Sequence, residues 1–219
     1  MSGRAATKDL VLDAAEALFS AKGVDGVSLR TLTKEAGVNL AAVHYHFGSK
    51  EEVVKAVFAR RIRPMNRERL AMLDALEGSG RPEVEEIVTA LVAPALRLAG
   101  DSPDRQRFMR LCARLYSEPA EYLQQLYVDE FSQVIDRFER VFRSALPSLS
   151  RAEVRRRMHF VVGLLVHTML NSAPVRRWTS GACDPADAES TLAAIVSFAA
   201  AGMRAPVPDP PDGVRAAVT

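Results

Sequence analysis

Helical periodicity cut at short intervals by capping residues is what most restricts the folds open to this chain. Between Ser28 and Glu52 it reads SLRTLTKEAGVNLAAVHYHFGSKEE. Ser28, Asn39 and Ser49 each carry a short side-chain oxygen that can accept an unpaired N–H at the start of a helix. Gly37 stands where a helix must stop and the backbone turn with positive φ. Ser28 to Gly37 therefore predicts a short helix with Leu29, Leu32 and Ala36 on its apolar face. Asn39 starts another, running to about Tyr45. Ser49, three residues before Glu52, has the spacing of a capping box for a fourth, which Pro64 should end or kink. Upstream, Val11, Ala14, Ala15, Leu18 and Phe19 form one stripe of an amphipathic helix closing at Lys22-Gly23.

The same period runs through the rest of the chain, and almost no segment alternates as a strand would, so the fold class is all-α. Pro82, the break from Gly100 to Pro103, Pro119, Pro147-Ser148 and a loop from Ala173 to Pro185 divide the remainder into about five helices. The tail from Ala205, APVPDPPDGVRAAVT, is proline-rich without apolar periodicity and is expected to be disordered. The expected organisation is a three-helix unit over 1–58, a larger helical domain over 59–204 and the tail over 205–219.

With 219 residues the chain can bury a sizeable core. No apolar run would span a bilayer and the N-terminus has no secretory pattern, so a cytoplasmic protein is expected. Cys112 and Cys183 lack the close spacing of redox or zinc motifs and read as reduced thiols. His159 and His167 share a helix but stand eight residues apart, too far to converge as ligands. No phosphate loop, nucleophile elbow or zinc-ligand pair is present. No enzymatic activity, cofactor or metal is expected. The net charge of +2 permits a nucleic-acid partner without requiring one, and Met1 to Lys55 holds seven basic and seven acidic residues. The densest basic run, RRIRPMNRER from Arg60 to Arg69, reads as a solvated helix face.

A short helix, a glycine turn and a second short helix packed on an earlier amphipathic one are the parts of a helix-turn-helix. On the helix after Asn39, Leu40, Val43 and Phe47 can share an inward face, although Leu40 at its end can instead meet a partner. Ala41, Ala42, His44, Tyr45 and His46 then face outwards or sideways. Small residues let a helix approach the floor of a major groove, and flanking donors can hold phosphates. A helical hairpin with a buried histidine would show the same pattern.

The block from Leu10 to Phe58, with DAAEALFSAKG and SLRTLTKEAGVNLAAVHYHFGSKEEV, resembles the DNA-binding domain of the TetR family of bacterial transcriptional regulators. The resemblance implies an all-α homodimer binding a palindromic DNA operator, with a C-terminal domain that dimerises and binds a small effector. It places Arg30 where a side chain can reach a base edge, with Ser28 and Thr31 near the DNA backbone. Leu40, Ala41 and Ala42 match base-touching positions, and Tyr45 and His46 match a phosphate-contacting pair. Lys50 is placed to hold another phosphate, and His44 stands at a contact position that is often aromatic.

The resemblance also implies that the last two long helices pair with their copies. LAAIVSFAAAGM, Leu192 to Met203, has small residues for close approach, with Ala200 and Gly202 as the expected interface positions. MHFVVGLLVHTML, Met158 to Leu170, has no polar face and must be covered on several sides. VNLAAVHYHFGSK, FMRLCARLYSEP, HFVVGLL and FAAAGMRA are similar, in order, to the PsrA-type subgroup of fatty-acid-responsive repressors. That similarity implies an amphipathic effector with an acidic head, a fatty acid or its CoA thioester. Another hydrophobic compound, such as a drug or aromatic acid, is the alternative. Phe108, Leu111, Cys112, Leu115, Phe131, Ile135, Phe138, Val162 and Val166 could line an elongated apolar cavity between helices, or make a closed core. Arg110 and Arg114 could meet the acidic head at its mouth, or form a solvated stripe.

Overall fold

The structure, a computed structural model, describes residues 3–98, 102–117, 121–170, 172–184 and 187–208. Those residues form ten helices and no strand: α1 (Gly3–Lys22), α2 (Leu29–Ala36), α3 (Leu40–Phe47), α4 (Lys50–Ser79), α5 (Val84–Leu98), α6 (Pro103–Ser117), α7 (Glu121–Ala145), α8 (Arg151–Leu170), α9 (Ser172–Trp178) and α10 (Ala188–Arg204).

The second helix is started and stopped by the predicted residues, and the third starts at its predicted cap but runs past Tyr45 to Phe47. Ser28 Oγ accepts from Thr31 N–H at 3.1 Å and Asn39 Oδ1 from Ala42 N–H at 2.7 Å. Gly37 takes φ 66° and ψ 29°, and Val38 N–H reaches back to Thr33 O at 3.1 Å, closing the end of α2. The stripe of α1 is buried against Leu32 of α2, Val43 of α3 and Val53, Val54 and Val57 of α4, all but Leu18 and Ala14 at or near zero exposure. The capping box at Ser49 is half formed. Its Oγ accepts from Glu52 N–H at 3.2 Å, but the Glu52 carboxylate turns to Lys55 Nζ at 2.8 Å.

Two expectations about α4 are corrected. Pro64 does not end it: the helix continues to Ser79, because Pro64 is exposed while Ile62, Met65, Asn66, Arg69 and Leu73 around it are buried against α5 and α7. Packing on both sides of the proline outweighs the single backbone hydrogen bond it removes. The domain boundary expected between 58 and 59 lies inside this one continuous helix. Nor is the basic run a solvated face. Arg60 reaches Asp13 at 2.6 Å and Glu16 at 3.0 Å, Arg61 reaches Glu16 at 2.7 Å, and Arg63 binds both oxygens of Glu130 on α7. Arg69 is buried. Charge density along a helix says nothing about the carboxylates that neighbouring helices bring opposite it.

Glu16 is 1% exposed and its carboxylate accepts from both arginines, joining α1 to α4. Glu16→Ala is expected to destabilise the chain by about 2 to 3 kcal/mol, since it removes the buried carboxylate that two half-buried guanidinium groups share. A urea melt followed by circular dichroism measures it.

In the larger domain α5 is the central helix, with Ile87, Val88 and every residue from Ala90 to Leu96 buried among α4, α7, α8 and α10. Arg157, itself buried, is held by Glu153 at 2.7 Å and caps the end of α10 through the carbonyls of Gly202, Met203 and Ala205. The loop expected from Ala173 contains α9, because Pro174 lies in its first turn, where no backbone donor is needed. Pro119 and the chain from 209 onwards lie outside the described residues, as does most of the tail.

One correction concerns the face of α10. Ala200 is 1% exposed inside its own subunit, in the core cluster shared with α5. What α10 leaves outside is Phe198, 73% exposed, with Ala194, Ala201 and Gly202. On α8 the matching outward residues are Phe160, 62% exposed, Gly163 and His167. A side-chain carbon added at Gly163 or Gly202 would meet nothing within 4 Å. MHFVVGLLVHTML is therefore covered on one side only within the chain.

Candidate nucleic-acid interface and ligand cavity

The outer face of α3 is built by the buried one. Val43 is fully buried and Phe47 half-buried against the core, while Leu40, Ala41, His44 and Tyr45 are exposed and Ala42 and His46 lie between. Leu40, at the first turn, projects outwards rather than joining Val43. The tyrosine and His46 rings meet edge to face with centroids 5.2 Å apart. His44 Nδ1 lies 2.9 Å from Gly48 O. A carbonyl oxygen can only accept, so Nδ1 is the donor.

Arg30 is exposed near the start of α2, and its guanidinium makes no hydrogen bond or ion pair among the described residues. Ser28 and Thr31 lie beside it with their hydroxyls 2.9 Å apart, one turn of helix bonded to itself. Lys50 departs from expectation: Nζ donates to Val24 O at 3.1 Å, tying the start of α4 to the loop after α1. The arrangement is a helix with a floor of small residues, one unpaired arginine on the preceding helix and aromatic donors at its far end. It can enter a groove and exchange hydrogen bonds with base edges and phosphates.

Below this unit α4, α5, α6, α7 and α8 enclose a cavity of about 370 Å³. Phe58 and Phe108, with ring centroids 5.4 Å apart, stand in its wall on α4 and α6, and Tyr127 stacks on Phe131 on α7. Of the residues proposed from sequence, Phe108, Cys112, Phe131, Ile135, Val162 and Val166 line it. Leu111 and Phe138 do not: both have zero exposure in the closed core. Arg110 is exposed and away from the wall. The side chains of Arg114 and Leu115 lie outside the described residues. Burial pushes the Cys112 thiol up to about 12, so it presents a neutral S–H to the cavity.

Four wall residues on α4 were not anticipated: Phe58, Ile62, Met65 and Arg69. They fall at i, i+4, i+7 and i+11, one face of a helix. That period was available in the sequence, and the arginine continuing an apolar stripe was its signal. Of the charged groups in the wall, Glu130 is held by Arg63, and Arg155 lies 2.7 Å from Asp136 and 2.6 Å from Glu139.

A solvent-facing recognition helix on a three-helix unit, joined by one long helix to a cavity-bearing helical domain, defines a helix-turn-helix DNA-binding protein. Residues 11–57 match the model described as bacterial regulatory proteins, tetR family, and residues 89–202 match tetracyclin repressor-like, C-terminal domain. The chain belongs to the TetR family of bacterial regulatory proteins. It is 41% identical over 59 residues to the HTH-type transcriptional regulator SrpR of Pseudomonas putida, covering 27% of this chain and 28% of SrpR. The match thus spans little more than a quarter of that relative. FadR of Bacillus subtilis in complex with stearoyl-CoA has the same fold, with TM-score 0.64 at 14% identity over 89% of this chain and 98% of that one. The SmeT–triclosan complex gives TM-score 0.63 at 21% identity over 94% and 98%. No helix among the described residues is long and apolar enough to cross a membrane.

Proposed function

We propose that this protein is a dimeric transcriptional repressor that binds a palindromic operator and leaves it when a small hydrophobic compound, foremost a fatty acyl compound, occupies the cavity. The observation that carries the reading is α4. Its first residue follows the Ser49 cap beside the recognition helix, and its Phe58, Ile62, Met65 and Arg69 form part of the cavity wall. One rigid helix therefore belongs to both sites, so a ligand that prefers a different setting of α4 competes with DNA for the conformation of the dimer. Arg30 reads a base edge, Leu40, Ala41 and Ala42 form the floor, and Tyr45 and His46 meet the phosphates. Dimerisation uses the outward faces of α8 and α10.

The apolar wall supports a hydrophobic effector, and the stearoyl-CoA bound by the FadR neighbour agrees with an acyl chain. The triclosan of the SmeT complex favours the second reading, a non-lipid hydrophobe. A gel shift against the DNA flanking the gene should give one sequence-selective complex whose affinity falls steeply with salt. Fatty acids or acyl-CoA added below their micelle threshold should then release it. Equal binding to unrelated DNA would overturn the regulator reading. Release by an uncharged hydrophobe alone would transfer the effector to the second class.

A further inference from the structure

Arg69 has an environment unlike that of any other cation in the cavity wall. It is 5% exposed. Its Nε donates to Leu91 O on α5 at 2.8 Å and its Nη1 to Asn66 Oδ1 at 3.2 Å. Asn66 is fixed in turn by Nδ2, which donates to Glu130 O on α7 at 2.6 Å. Three helices thus hold the guanidinium in place. These bonds satisfy donors, but all their acceptors are neutral. Among the described residues no carboxylate lies within ion-pair distance of Arg69, and Nη2 donates to none of them. The neighbouring Arg155 and Arg63 have carboxylates of their own. Burial alone, with no opposing anion, holds the Arg69 guanidinium down to about 10.

A buried charge without a counter-ion is costly unless something neutralises it. The guanidinium remains charged at neutral pH, on a wall that includes Phe58, Met65, Leu91 and Phe108. Its open edge suits two-point hydrogen bonding to a carboxylate, and the surrounding wall suits a hydrocarbon. A CoA thioester fits this poorly, since its acyl end carries no charge and its phosphates belong to a large polar group. A cavity of about 370 Å³ is at the small end for ligand sites.

We infer that the effector is a free monocarboxylic acid with an apolar tail, whose carboxylate is buried against Arg69 as its counter-ion. This rests on the reading of the cavity as the effector site and replaces Arg110 and Arg114 as the acid-binding group. The acid enters head first, and its charge settles at the junction of α4, α5 and α7. Because Arg69 is on α4, the head group bears directly on the helix that continues to the recognition unit.

The test is calorimetric titration of dodecanoic acid, dodecan-1-ol and dodecanoyl-CoA into the full-length protein and into Arg69→Met. The unaltered protein should bind the acid at least tenfold more tightly than the alcohol or the thioester. In Arg69→Met the acid should fall to the affinity of the alcohol, with the alcohol unchanged. Arg69→Gln, which keeps an amide donor near Leu91 O without the charge, should behave alike if the methionine chain does not fold. An alcohol or thioester that binds the unaltered protein as well as the acid does would overturn the inference and leave the hydrophobic-effector reading standing. A preference for acid that survives both substitutions would overturn the role of Arg69. Binding of none of the three would remove the acyl effector itself, and the inference with it.

Discussion

In the proposed dimer, Phe198→Asp is expected to separate the two copies without unfolding either. The ring is 73% exposed on α10 and that of Phe160 is 62% exposed on α8, so neither contributes much to the core of its own chain. In a two-fold interface each substitution counts twice. Losing two buried phenylalanines costs on the order of 3 to 6 kcal/mol before the added charge is counted, a hundredfold or more in the dimer constant. Operator affinity should fall with it, because a monomer can engage only one half-site. Ala200→Asp provides the contrast. That residue is inside the subunit, so a carboxylate there should lower the melting temperature of the whole domain. Sedimentation velocity and circular dichroism on both variants distinguish the cases. A Phe198→Asp protein that still sediments as a dimer would move the interface away from α8 and α10.

Arg30→Ala should relax operator selectivity at one base pair in each half-site. An arginine reading guanine contributes roughly 1 to 3 kcal/mol, and a dimer loses two such contacts, so operator affinity should drop by about 2 to 6 kcal/mol. Binding to unrelated DNA should change little. Competition binding against single-base operator variants shows which position has lost its preference. If operator and unrelated DNA weakened together, and the salt dependence became shallower, Arg30 would be a phosphate contact instead. Lys50→Ala should differ in kind. Since Nζ already donates to Val24 O, its loss should loosen the α1–α4 packing more than the salt dependence of DNA binding.

The N-terminal unit was legible because its signals are local. A capping serine or asparagine needs only the N–H groups three residues on, and Gly37 needs only its own φ, so Ser28, Gly37, Asn39 and Ser49 act in the structure as the chain order implies. The apolar stripe of α1 was equally plain, being one face of one helix. The cavity was only half legible. Period identifies an apolar face but not what will cover it, so Phe131 and Ile135 in the wall could not be told from Phe138 in the closed core.

Charge and small residues depended most on the tertiary structure. From Arg60 to Arg69 the sequence determines that one helix bears a basic run. Which arginines meet Glu16, which meets Glu130, and which stays buried without an anion are set by α1, α5 and α7 arriving from distant parts of the chain. Likewise the alanines of α10 announce close packing without saying against what. Ala200 faces α5 and Phe198 faces outwards because α5 lies on one side of α10, a fact that depends on where two helices meet and not on the composition of either.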